Sequence, residues 1–146
     1  MTVKRMDNVL IVVEDLDAVI DFFVELGLEL ENKGPLDWRG AERVVGLRDV
    51  RQDVAMLRVP DGPGRVELAK FHEPKAVAPE PWKAPANTLG IRRMMFAVDD
   101  LEDTLARLKA RGAELVDEVV QFENIFLLCY VRGPENIVVG LAQELS

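Results

Sequence analysis

One cysteine, one histidine and one tyrosine stand in this chain, and each scarcity narrows the chemistry. A lone Cys129 cannot close an internal disulfide. Flanked by Leu127, Leu128 and Tyr130, it reads as a small apolar residue buried in a strand. With a single imidazole, any histidine base working near neutral pH must be His72. Positive charge is also short: 18 Lys and Arg face 26 Asp and Glu, for a net charge of -8. Nucleic acids and anionic membranes are held by clustered Lys and Arg that neutralise phosphates, so neither is expected as a partner. No apolar run approaches the roughly 20 residues that span a bilayer. The start, Met1-Thr2-Val3-Lys4-Arg5, leads into an alternating strand pattern and not into the apolar core of a signal peptide. A cytoplasmic protein is the expectation.

What the chain does have is an internal repeat. Asn8 to Leu30 aligns without a gap on Arg93 to Leu115, at a constant offset of 85. Val13, Asp15, Leu16, Gly27, Glu29 and Leu30 recur as Val98, Asp100, Leu101, Gly112, Glu114 and Leu115, and the intervening substitutions keep their character. A fixed-period self-match of this kind marks a duplicated structural unit. Each copy opens with an apolar strand-like run, Val9 to Val13 or Met94 to Val98. Apolar positions spaced three and four apart then predict a helix. Asp15 and Asp100 suit the helix N-cap, where a carboxylate accepts hydrogen bonds from unpaired N–H groups. Gly27 and Gly112 suit the left-handed residue that ends a helix.

In the first copy a strand at Leu28 to Glu31 is followed by a loop with Gly34-Pro35 and a short apolar stretch, Val44 to Leu47. Strands Gln52 to Val59 and Arg65 to Phe71 flank a turn at Pro60 to Gly64. In the second copy strands Ala113 to Val116, Phe126 to Arg132 and Ile137 to Ala142 follow the helix, with a turn at Gly133 to Asn136. Between the copies, 72–90 carries four prolines and reads as a linker. The expectation is an α+β protein, a single domain over 1–146: module one at about 5–71 and module two at about 91–144, each β-α-β-β-β.

The two copies, with Val-Val-Glu-Asp-Leu-Asp and Ala-Val-Asp-Asp-Leu-Glu after their first strands and Arg132-Gly133-Pro134-Glu135-Asn136 before the last, resemble the vicinal oxygen chelate superfamily of glyoxalases, bleomycin resistance proteins and extradiol dioxygenases. The resemblance implies paired modules curved into a half-open mixed β-barrel around one cavity, assembled as a homodimer. Its metal-bearing enzymes carry ligands on the first and last strands of each module. Those positions fall here on Asn8, Glu67, Arg93 and Gly140. Only Glu67 is an ordinary metal ligand; Asn8 offers a weak carbonyl oxygen, Gly140 nothing, and Arg93 a permanent cation without a lone pair. No metal or other cofactor is therefore expected, the alternative being a divalent ion on Glu67 and Asn8. The family geometry also implies that Arg93 meets Glu67 in place of the lost ion, as a buried pair whose loss costs about 3 to 5 kcal/mol.

Other catalytic constellations have bland explanations. Glu14-Asp15 and Asp99-Asp100 look like paired carboxylates, but both sit where helix capping accounts for them. His72 lies on the opposite strand face from Arg65, Glu67, Ala69 and Phe71, beside the linker. No serine stands in a nucleophile elbow, and no lysine-bearing phosphate loop follows either Gly-Pro turn. Alternation places Leu10 and Val12 with Asn8, and Met95 and Ala97 with Arg93. Met56 and Arg58 join such a face if their strand has the same parity. Trp38, Phe122, Phe126 and Tyr130 are candidates to stack on a flat ligand. The leading expectation is a small-molecule-binding protein for a drug-like or secondary metabolite, with ligand contacts from Asn8, Met56, Arg58, Glu67, Arg93, Met95 and these aromatics. The alternative is a glyoxalase- or dioxygenase-like metal enzyme using Glu67.

Overall fold

Apolar residues at alternate positions leave one face of a strand to be covered, and in this chain each copy of the repeat covers it with its own helix. The structure, a computed structural model, describes residues 2–36 and 40–145. The chain divides into two compact units, Met1–Val77 and Ala78–Ser146.

The first unit runs β1 (Val9–Val12), α1 (Leu16–Leu26), β2 (Glu29–Pro35), α2 (Ala41–Val45), β3 (Arg51–Arg58) and β4 (Arg65–Glu73). Its sheet has the order β1-β4-β3-β2, with β1 parallel to β4 and the other pairs antiparallel. Asp15 caps α1, its carboxylate accepting from the Ala18 N–H at 3.1 Å. Gly27 ends α1 at φ +128°, with its N–H donating to Phe23 and Val24 carbonyls. Leu16, Val19, Ile20 and Phe23 form the expected stripe, joined by Phe22 and Leu26. They pack over Ala55, Leu57, Val66 and Leu68, which the register places on one face of the sheet.

The second unit repeats the plan: β5 (Met94–Ala97), α3 (Leu101–Ala110), β6 (Glu114–Leu115), β7 (Val120–Phe122), β8 (Phe126–Arg132), a single 3-10 turn (Pro134–Asn136) and β9 (Val138–Glu144). The sheet order is β5-β9-β8-β6, with β7 also on β8. The β5–β9 pair is parallel, like its counterpart. Asp100 caps α3, accepting from the Asp103 N–H at 3.0 Å, and Gln143 of β9 accepts from the Leu101 N–H at 2.8 Å, pinning the helix start to the sheet. Leu101, Leu105 and Leu108 are buried against Cys129, Val131, Val139 and Leu141. Burial pushes the Cys129 thiol pKa up, in keeping with the apolar role expected of it.

Several boundaries differ from expectation. β2 continues through Gly34-Pro35, in place of the expected loop. It is an edge strand, and an edge strand can accept a proline because one row of its backbone groups has no ladder partner. The apolar stretch near Val44 begins with the short helix α2. β4 extends to Glu73, so His72 is a strand residue and not a linker one. Its Nε2 lies 3.0 Å from Asp53 Oδ2, a cross-strand partner that sequence distance conceals. Strand β7 is absent from the sequence expectation, because its three residues are too few to show a period.

Candidate functional site

In each unit the helix covers one face of the sheet, and the opposite face leaves apolar side chains exposed, Leu10 and Val12 in the first unit and Met95, Val120 and Phe122 in the second. Leu10, Met95 and Phe122 are 48%, 49% and 51% exposed, values that mark a surface built for contact more than for packing.

On the first unit's open face the register sets Leu10 beside Glu67, and Glu67 opposite Met56. The next row holds Val12, Ala69 and Val54. Met56 therefore has the parity that puts it with Glu67. Asn8 precedes β1 by one residue and is exposed; carried back one step, the register sets it beside Arg65. Arg58 shares this face but is ion-paired with Glu29, and Arg65 forks onto Glu31 at 2.6 and 3.3 Å. That fork holds the Glu31 carboxyl below its ordinary range and raises the Arg65 guanidinium. Arg58, expected as a ligand contact, thus already has a carboxylate partner. Trp38 lies outside the described residues.

The second unit's open face is organised in rows. Val138 sits beside Arg132, and the register carried back from β5 sets Arg93 on its other side. The next row is Met95, Gly140 and Tyr130, followed by Ala97, Ala142, Leu128 and Val120, and then Glu144, Phe126 and Phe122. Arg93 is exposed, and its guanidinium lies over the Tyr130 ring, 4.1 Å from the centroid. Its expected burial is not observed: it stands one residue ahead of β5, at the open end of the strand. Phe122 and Phe126 stack at 5.4 Å with 22° between their planes.

Gly140 is the position that sequence alone reads as an empty ligand site. A Cβ built there would land on the Met95 sulfur and 3.2 Å from Tyr130 Cδ1. The missing side chain is what lets the Met95 thioether lie across β9. Glycine here serves a close approach and not a special backbone angle. The only signal for it is the pairing of Met95 with Gly140 across a parallel register, which no local pattern reveals.

Residues 5–139 match the Glyoxalase/Bleomycin resistance protein/Dioxygenase superfamily. The chain belongs to this superfamily. A crystal structure of a glyoxalase family protein from Bacillus cereus is similar at 48% identity and a TM-score of 0.95, over 100% of this chain and 97% of that one. The glyoxalase domain-containing protein RDO1 of Mycosarcoma maydis is 25% identical over 97% of this chain and 69% of its own length. TnmS3, an antibiotic binding protein from Streptomyces sp. CB03234, shares the fold at 18% identity and a TM-score of 0.62, over 99% and 98% of the two chains.

For a glyoxalase-superfamily chain the side chains at the metal positions are decisive. Among the described residues no group of three or more His, Cys, Asp or Glu could hold a metal ion. Arg93 brings a cation, Gly140 is covered by Met95, and Glu67 stands between Leu10 and Met56. Such a donor set does not fit a divalent ion, which requires several carboxylate, imidazole or thiolate ligands. Among the described residues, no helix is long and apolar enough to cross a membrane.

Proposed function

We propose that this chain binds a small amphipathic organic molecule, of the drug-like or secondary-metabolite kind, without a resident metal. The observation that carries the reading is the second unit's open face. Ala97 and Ala142 make a low floor, bordered by Met95 where it lies over Gly140, by Tyr130, by Leu128 and by the Phe122–Phe126 stack. Small residues expose the sheet to a flat ligand, and aromatic side chains supply stacking area. On the first unit's open face, Glu67 and Met56, with Asn8 at its end, are that unit's own candidate ligand contacts in this reading. The structural likeness to an antibiotic binding protein agrees with it in kind. A homodimer in a cytoplasmic setting completes the proposal, the dimer being checked by light scattering.

The test is a thermal-shift screen with flat organic compounds on freshly purified protein, alongside metal analysis of the same sample. Ligands that bind only the folded state raise Tm with concentration as RT ln(1 + [L]/Kd). Saturable stabilisation by such compounds in metal-free protein is the expected result. A stoichiometric divalent ion required for binding overturns the metal-free reading.

A further inference from the structure

We propose that the ligand of the second unit's open face is a planar organic anion, held with its anionic group at Arg93; this rests on the binding reading above and names its ligand class.

Arg58, Arg65 and Arg107 are each paired with a carboxylate, on Glu29, Glu31 and Asp103. Arg93 makes no hydrogen bond or ion pair with the described residues, and its partner is the Tyr130 ring. In a chain with a net charge of -8, acidic residues are plentiful, yet no carboxylate among the described residues is ion-paired with Arg93. The Tyr130 ring holds the guanidinium by cation–π attraction without using its N–H donors, which suit the forked hydrogen bonds of a carboxylate. Arg132 flanks the same Val138 from the other side, about 10 Å away across two strand spacings. Glu114 is the cross-strand neighbour of Arg132, without an ion pair between them among the described contacts. Arg93 is therefore the principal contact and Arg132 a weaker one.

Shape supplies the rest of the class. From the Arg93 row to the Phe126 row the face runs six residues along β9, about 20 Å. Along that length Met95 fills the space over Gly140, and Ala97 and Ala142 carry no side chain beyond Cβ. A ligand resting there must be flat, with its anionic group at the Arg93 end and its rings toward Tyr130 and the Phe122–Phe126 stack. The exposed carboxylate of Glu144 at the far end disfavours a second negative charge.

Calorimetric titration of the full chain with naphthoate, neutral naphthylmethanol and cationic naphthylmethylammonium separates charge from shape. Naphthoate is expected to bind about tenfold or more tightly than the alcohol, the scale of one charge-assisted contact, with the ammonium weakest. Arg93→Gln should remove the preference for naphthoate over the alcohol, lowering naphthoate affinity about tenfold more than it lowers the alcohol's, and Arg132→Gln should reduce that preference less. Arg93 is exposed, so both variants are expected to fold, as circular dichroism will show. Equal or tighter binding of the alcohol, or a naphthoate preference that survives Arg93→Gln, overturns the anion class and leaves the proposed function standing. Failure of all three probes overturns the inference; together with a negative thermal-shift screen, it removes the proposed function too.

Discussion

Gly140 and Met95 form a pair in which one residue's absent side chain is the other's resting place. Adding a methyl group at position 140 must push the Met95 sulfur aside and crowd Tyr130. Because the thioether is the flexible end of its side chain, the fold should survive. Gly140→Ala is expected to destabilise by about 1 kcal/mol, the low end of overpacking costs. The Met95→Ala background should remove most of that cost, and a double-mutant cycle by chemical denaturation measures the coupling. Equal costs in both backgrounds would mean that Met95 does not occupy the space. Glu31 makes a different prediction. The hydrogen bond from Arg65 holds its folded-state carboxyl pKa below the ordinary value. Its stabilising contribution is therefore present above the unfolded carboxyl's pKa and is lost as pH falls through the lower folded value. Glu31→Gln should cost a little stability at neutral pH, with the difference from wild type closing in acid. Both groups are largely in solvent, so the effect is small and weakens with salt.

At the scale of elements, the two helices show how far local sequence reaches. Asp15 and Asp100 each accept a hydrogen bond from the residue three positions on. Replacing either with Ala should cost about 1 kcal/mol of stability, measured by urea denaturation, with little effect on ligand affinity. Capping and helical periodicity are local, which is why both helices and their buried stripes are legible in the residues themselves. The existence of most strands is legible for the same reason. Strand extent is not: β2 runs through Gly34-Pro35 only because β3 lies beside it, and His72, at the β-bulge of β4, meets the side chain of Asp53, 19 positions away. Register belongs to long-range pairing. The placement of Met56 with Glu67, which alternation alone leaves open, comes from the β3–β4 ladder.

Across the whole chain, duplication is visible in structure as it is in sequence: two mixed sheets, each with a parallel first pair and a capped helix on one face. The copies diverge on their open faces. Leu10, Glu67 and Met56 correspond to Met95, Gly140 and Tyr130, and Asn8 corresponds to Arg93. Aligning the halves shows where they differ, but together with the family resemblance it reads Gly140 as a gap and Arg93 as a buried residue. The structure fills the gap with Met95 and lays Arg93 on an aromatic ring. Side-chain placement between strands carries that information, and no pattern along one strand holds it. In the proposed function the site binds its ligand without a metal, with Arg93 supplying the cation. The most direct test is calorimetric titration of naphthoate into chelator-treated protein and into protein supplied with zinc, manganese or nickel. Equal affinity in all samples is predicted; binding lost on chelation and restored by one equivalent of a divalent ion would contradict the account.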